Sequence, residues 1–180
     1  MTKNQTEFGT QLAELLINDI SLCEAGPLEE CVVCAKKFGE DIILGKNRDR
    51  NYAPNLKIVR ELTSEGIELC YVVDQDTGWS EGMNSEGIGI VNSALMVKQD
   101  EKEKKIAKKT KKPSKDGIRI KEALSKKTID EVVNSLLNFN DGVKGHTIVS
   151  DGITTKVIEN TSKTKPTVIT TQLKEPVIRT

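Results

Sequence analysis

Aromatic residues and histidine are scarce in this chain. Of its 180 residues, 3% are aromatic, and His146 is the single histidine. So few rings argue against a surface on which nucleic-acid bases stack. Basic and acidic residues number 27 each, and the formal net charge is zero. Because there is no excess charge to attract a polyanion, we expect no nucleic-acid partner.

Long apolar runs are also missing. No uninterrupted stretch has the length of a membrane span, and Glu14, Asn18 and Asp19 break the apolar residues of the N-terminal segment. This segment has no basic region followed by an apolar core, so it does not resemble a signal peptide. We therefore expect no membrane partner, a cytoplasmic location and four cysteines that are reduced thiols.

The hydrophobic pattern predicts an α+β fold. Residues 5–24 have apolar side chains at helical spacing, and Gly26-Pro27 ends this pattern. The remaining segments alternate between strand patterns and short helices. We predict strands at 31–37, 41–46, 56–62, 67–74, around 88–91, in a hairpin at 147–159, and within 166–172 and 176–180. Two short helices are predicted within 116–138, split near 125–128, with Thr128 and Glu131 as a capping box.

A lysine-rich segment at 98–115 interrupts this pattern. It could bind a polyanion, or it could be a solvated loop. Because it has no aromatic residues and the chain as a whole is neutral, we interpret it as a flexible loop.

Cys31 and Cys34 form a CxxC pair, which raises the question of a metal or redox site. A structural zinc site needs four ligands, but Cys23 and Cys70 are distant in sequence from this pair. In a strand, residues three apart point to opposite faces, so Cys31 and Cys34 should be splayed. A redox dithiol would lie at a helix N-terminus. We therefore expect no metal and no cofactor.

A single catalytic cysteine is the remaining chemical interpretation. His146 could be its base, as in cysteine proteases of the papain type, but no acidic residue near it in the sequence would orient it. Alternatively, a cysteine at a chain terminus can use its own α-amine as the base.

Two further segments carry a resemblance to a known group. Cys31 is followed by Gly45-Lys46-Asn47-Arg48-Asp49 and then by the segment EGMNSEGIG at 81–89. In order and spacing these resemble the cysteine N-terminal-nucleophile (Ntn) hydrolases. The nearest groups are choloylglycine hydrolase with penicillin V acylase, and the acyl-coenzyme A:6-aminopenicillanate acyltransferases. The resemblance implies an αββα sandwich of antiparallel sheets, incomplete in this chain, over residues 31–180.

The resemblance also implies roles for individual residues. Cys31 would be the nucleophile, and Asp49 would hold its α-amine. Lys46 takes the place of a family arginine near the nucleophile, and the change loses the bidentate geometry of a guanidinium. Asn92 is a candidate oxyanion donor, although an ungapped comparison puts the family asparagine nearer Ala94.

Residues 1–30 would be a propeptide, removed by self-cleavage between Glu30 and Cys31. The implied function is a self-processing amidohydrolase or acyltransferase acting on linear amide C–N bonds of a small-molecule substrate. The family's second essential asparagine follows an Arg-Thr pair, and the sequence stops at Arg179-Thr180. A second chain or a homo-oligomer could complete the fold. The alternative is a catalytically inactive or fragmentary domain of the same kind, with a structural or interaction role.

Overall fold

The computed structural model describes residues 31–48, 53–93, 115–138, 143–160 and 165–179. The candidate propeptide, Glu30, Asp49 and nearly all of the lysine-rich segment lie outside these residues. The described parts contain the following elements in chain order: β1 Cys31–Phe38, β2 Asp41–Arg48, β3 Leu56–Leu62, β4 Glu68–Asp74, β5 Ser80–Asn84, β6 Gly89–Ser93, α1 Lys115–Leu124, α2 Ile129–Leu137, β7 Gly145–Ser150, β8 Thr155–Asn160, β9 Thr167–Thr171 and β10 Val177–Arg179.

The strands form two antiparallel sheets. The smaller sheet has the order β10-β1-β2, and the larger one runs β3 to β9 in sequence order. Together with the two helices they give a mixed architecture, which confirms the predicted α+β class. Each hairpin connection is short enough to place consecutive strands side by side.

Three layers result from the packing of these elements. One core lies between the helices and the larger sheet and includes Leu69, Ile90, Ile120 and Leu136. A second, smaller core lies between the two sheets and includes Val33, Val91, Ile148 and Val157. The larger sheet is therefore covered by helices on one face and by the β1–β2 hairpin and β10 on the other. We call this second face the inner face.

The first hairpin forms as the sequence predicts. Cys31 pairs with Arg48, Val33 with Lys46 and Ala35 with Leu44. Val33 and Ala35 are fully buried between the sheets, whereas Cys34 lies on the other face, where a Cβ on Gly45 would come within 2.9 Å of its Sγ. The expected splaying of the two cysteines is confirmed.

The helical pair is also as predicted. α1 ends at Leu124 and α2 begins at Ile129, and Thr128 and Glu131 form the reciprocal capping box. Strand β5 was not predicted, because the sequence around it is rich in glycine. Position 82 in that strand must be glycine, because a Cβ there would be 2.3 Å from the backbone oxygen of Cys70. Close packing between strands, and not a turn, accounts for this glycine.

Asn84 links the β5–β6 turn to the C-terminal end of α1. Its Nδ2 donates to the backbone oxygens of Leu124 and Lys126 at 2.8 and 2.9 Å, and its Oδ1 accepts from the backbone nitrogens of Glu86 and Ile88. Asn84 is 3% exposed. Its place in the EGMN motif thus has a structural explanation.

Replacing Asn84 with alanine should lower the free energy of unfolding by about 2 kcal/mol, because buried backbone groups lose their partners. Urea denaturation measures this change. Asn134→Ala on the exposed side of α2 is the control and should cost less than about 0.5 kcal/mol. Equal losses for the two variants would contradict a linking role for Asn84.

Candidate active site

Cys31 is the first residue of β1 and its side chain faces the larger sheet. It lies on the same side of the strand as Val33 and Ala35, and it is 2% exposed. Its backbone oxygen accepts a hydrogen bond of 2.7 Å from the Ser93 hydroxyl, at the end of β6. Ser93 therefore fixes the main chain of Cys31 against the larger sheet, a contact that the sequence did not suggest.

Two cations on β2 face the same space, and each is paired with an acid of the larger sheet. Lys46 Nζ lies 2.6 Å from Glu81 Oε1, and Arg48 Nη2 lies 3.6 Å from Asp74 Oδ2. Both cations also lie over the ring of Trp79, at 4.7 and 5.8 Å from its centroid. These pairs join the two sheets next to Cys31.

The Lys46 ammonium is enclosed by this arrangement. Its side chain is 7% exposed, and the Glu81 oxygen that it contacts also accepts a hydrogen bond of 2.8 Å from Trp79 Nε1. Burial lowers the pKa of Lys46 below its ordinary value of 10.5, while the Glu81 carboxylate and the Cys31 side chain act in the opposite direction. Lys46 is thus a buried charge held between two sheets.

The buried state of Lys46 predicts how stability depends on pH. Because the folded-state pKa is lowered, folding disfavours the charged form below that pKa, and the penalty disappears as pH rises toward 10.5. The unfolding free energy of the wild type should therefore rise relative to Lys46→Met over this alkaline range. The slope is at most about 1.4 kcal/mol per pH unit. Lys144→Met, at an exposed site, should show no such difference; parallel curves for wild type and Lys46→Met would refute the assignment.

Asn92 has a different position from the one expected of an oxyanion donor beside Cys31. It is fully buried on the helix-facing side of β6, the side of Ile90, opposite the inner face. Its Nδ2 donates to Thr147 Oγ1 at 2.7 Å and to the backbone oxygen of Lys144 at 3.4 Å. The structure does not bring Asn92 together with Cys31, and its role at an oxyanion stays a prediction.

Among the other expected site residues, Lys46 lies on the same side of the smaller sheet as Cys31, whereas Asp49 and Glu30 lie outside the described residues. Within the described ranges, no three His, Cys, Asp or Glu side chains are grouped as metal ligands. Burial raises the pKa of the Cys34 thiol, although a hydrogen bond with the Gly45 backbone lowers it. Cys34 is thus a packed thiol on the outer face, the side of the smaller sheet that points away from the larger sheet.

A groove of about 630 Å³ opens next to this cluster. It lies between the tip of the β1–β2 hairpin and the inner face of β3 to β5, and Leu44, Ile58, Val72, Glu81 and Met83 line it. Ile58, Met83 and Val72 are 69, 52 and 40% exposed. Arg48, Lys46 and Leu44 lie in a row on the side of β2 that faces the larger sheet. The row extends about 13 Å along the strand. The groove therefore lies on the side of the hairpin that carries Cys31, although Cys31 itself is buried and does not line it.

Sequence reasoning missed Glu81 as a partner, as well as Asp74, Trp79 and Ser93. Glu81 was visible as the first residue of a motif, but its partner on β2 could be identified only from the packing of the sheets.

In the described parts, no helix is long and apolar enough to cross a membrane. Comparison with protein-family models, with curated proteins and with solved structures found no match for this chain.

Proposed function

We propose that this chain is a self-processing N-terminal-cysteine amidohydrolase or acyltransferase of the Ntn type. The observation that carries the proposal is the position of Cys31. Its side chain is buried between the two antiparallel sheets, and two cations from the neighbouring strand lie on the same face. The helix, sheet and sheet layers also suit three of the four layers of an αββα sandwich.

The proposed chemistry begins with cleavage of the bond before Cys31. The thiol attacks the Glu30 carbonyl carbon, the C–N bond breaks, and the nitrogen takes a proton to become the α-amine. Water then hydrolyses the thioester, so that Glu30 leaves as a carboxylate and the thiol is restored. The new α-amine is a base within reach of its own side chain.

The mature enzyme would use the same groups on a substrate amide. The α-amine accepts the thiol proton as sulfur attacks the acyl carbon, and it returns the proton to the leaving amine. Water hydrolyses the acyl thioester, or another amine accepts the acyl group. Asp49 would hold the α-ammonium, and Lys46 with Arg48 would supply positive potential beside the nucleophile.

The groove suits one part of a small-molecule substrate. Its volume of about 630 Å³ falls in the range of small-molecule sites. Because its lining is mainly apolar with Glu81 beside Lys46, an apolar acyl chain or ring would bind there while its amide points toward Cys31. A second chain that completes the fold would add to the walls of this site.

The position of Asn92 favours the alternative, a non-catalytic domain with a structural or interaction role, because its amide is engaged on the opposite face of the sheet. Intact-mass measurement separates the two functions. We expect purified protein to accumulate a species that begins at Cys31, with a thiol and an α-amine that both react with specific reagents. Protein that retains residues 1–30 after long incubation, with Cys31 inert to iodoacetamide, would contradict the enzyme.

A further inference from the structure

Three polar residues of neighbouring strands form a row across the inner face of the larger sheet, next to Cys31. Ser93, His146 and Glu159 lie opposite one another on β6, β7 and β8. Val91, Ile148 and Val157, two residues away on the same strands, all belong to the core between the sheets. Because side chains alternate along a strand, Ser93, His146 and Glu159 must face the same side as that core.

Cys31 is held directly against this row. Its backbone oxygen accepts the 2.7 Å hydrogen bond from Ser93, and His146 is the immediate cross-strand neighbour of Ser93. Side chains of directly opposed residues have Cβ atoms about 5 Å apart. The His146 side chain therefore faces the space between the sheets beside Ser93, and the Cys31 side chain faces the same space from the smaller sheet.

We infer that His146 accepts the proton of the Cys31 thiol in the first step of self-cleavage, and that Glu159 positions the imidazole. This inference rests on the proposed self-cleavage. The pairing also provides the acidic residue that is not found near His146 in the sequence, because Glu159 lies opposite His146 in the sheet.

A second base is needed because the α-amine does not exist before cleavage. The nitrogen of Cys31 is then an amide, which does not accept a proton at neutral pH. The uncut chain must therefore use another group to form the thiolate. His146 is the single histidine of the chain, and imidazole is the side chain that commonly accepts a proton near neutral pH.

The first step of self-cleavage needs no group beyond Cys31, His146 and the peptide bond between Glu30 and Cys31. His146 takes the proton from Cys31 Sγ, and the sulfur forms a bond to the Glu30 carbonyl carbon. The bond between that carbon and the Cys31 nitrogen breaks, and the imidazolium returns its proton to the nitrogen. The result is a thioester with a free α-amine and a neutral His146, and water then hydrolyses the thioester.

Charged groups on both sheets surround this pair. From the larger sheet they are Asp74, Glu81 and Glu159, and from the smaller sheet Lys46, Arg48 and Arg179. Arg179 Nε binds Glu159 Oε1 at 3.1 Å, and Glu159 lies opposite His146 in the sheet. Each of the three cations has an acidic partner, at 2.6 to 3.6 Å. The charged groups on the two sheets are thus matched as three ion pairs.

The test is the rate of cleavage before Cys31, measured by intact mass between about pH 5 and 9 in the full chain. We expect the wild-type rate to rise with pH over this range, because only a neutral imidazole can accept the thiol proton. His146→Gln should lower the rate by about 100-fold or more and remove this rise. Glu159→Gln should lower the rate less and keep a pH dependence, and Lys144→Gln is the control.

Added imidazole should partly restore cleavage in His146→Ala, which a purely structural role for His146 would not allow. His146→Asn serves if the glutamine variant fails to fold, as judged by circular dichroism. Cleavage of the wild type together with an unchanged rate and pH profile in His146→Gln would overturn this inference alone. A wild-type chain that never cleaves would overturn the proposed self-processing and this inference with it.

Discussion

Replacing Gly117 with alanine is expected to destabilise the protein by about 3 kcal/mol or more. A Cβ at this position would lie 1.8 Å from the backbone oxygen of Gly78 and 2.8 Å from its carbonyl carbon. The obstacle is backbone and not a flexible side chain, so α1 would have to move away from the β4–β5 turn. Ile120, Ala123 and Leu124 on this helix are fully buried and would lose part of their packing.

The direction of this effect is the opposite of what helix propensity predicts. Alanine in a helix interior is normally favoured over glycine by about 1 kcal/mol. Gly66→Ala is the matched control, because a Cβ there meets nothing within 4 Å although its φ is +82°; backbone strain alone should cost about 1 kcal/mol. Thermal and urea unfolding measure both variants. A Gly117→Ala protein as stable as the wild type would show that α1 is not packed as described.

Cys31→Ala is expected to abolish cleavage before residue 31. The variant keeps the small side chain of the site but has no nucleophile, so the rate should fall by roughly a thousandfold or more. Cys31→Ser should cleave slowly, because a hydroxyl is a weaker nucleophile than a thiol. Mass spectrometry of each purified chain over several days measures the uncut fraction.

Cys34→Ala is the control for this experiment. Cys34 is also a buried thiol of β1, but it lies on the outer face next to Gly45. We expect it to be cleaved at the wild-type rate, with a small loss of stability. Cleavage that continues in Cys31→Ala would mean that a contaminating protease cuts the chain, and self-processing would then be wrong.

The fold class could be predicted from this sequence because most of its elements have strong local signals. The β1–β2 hairpin follows from alternating apolar residues around Phe38-Gly39-Glu40, and the start of α2 follows from Thr128 and Glu131. Strand β5 has no such signal. Gly82 is required in β5 because Cys70 and Tyr71 on the adjacent strand β4 leave no space for a side chain. The local sequence does not reveal such a contact between strands.

The candidate site likewise contains some residues that were expected from the sequence and others that only the structure identifies. Cys31 and Lys46 were named because the resemblance to the Ntn hydrolases implies their roles, and they share one face because the hairpin fixes their register. Glu159 beside His146, and Asp74 beside Arg48, depend on how strands distant in sequence pair and how the sheets pack. The resemblance suggests Asn92 because it follows the glycine-rich turn, but the face on which it lies depends on strand register, which a one-residue shift reverses.

The pairing of β1 with β10 has a consequence for the timing of events during folding. Val33 lies opposite Arg179 and Ala35 opposite Val177, so the smaller sheet joins segments from distant parts of the chain. Contacts of such large sequence separation form late, because loop closure must precede them. Arg179, which binds Glu159, belongs to β10 and docks with it. The chemistry proposed for Cys31 would therefore begin only after residues 177–179 have been synthesised and docked, and a ribosome-bound chain lacking them should remain uncut.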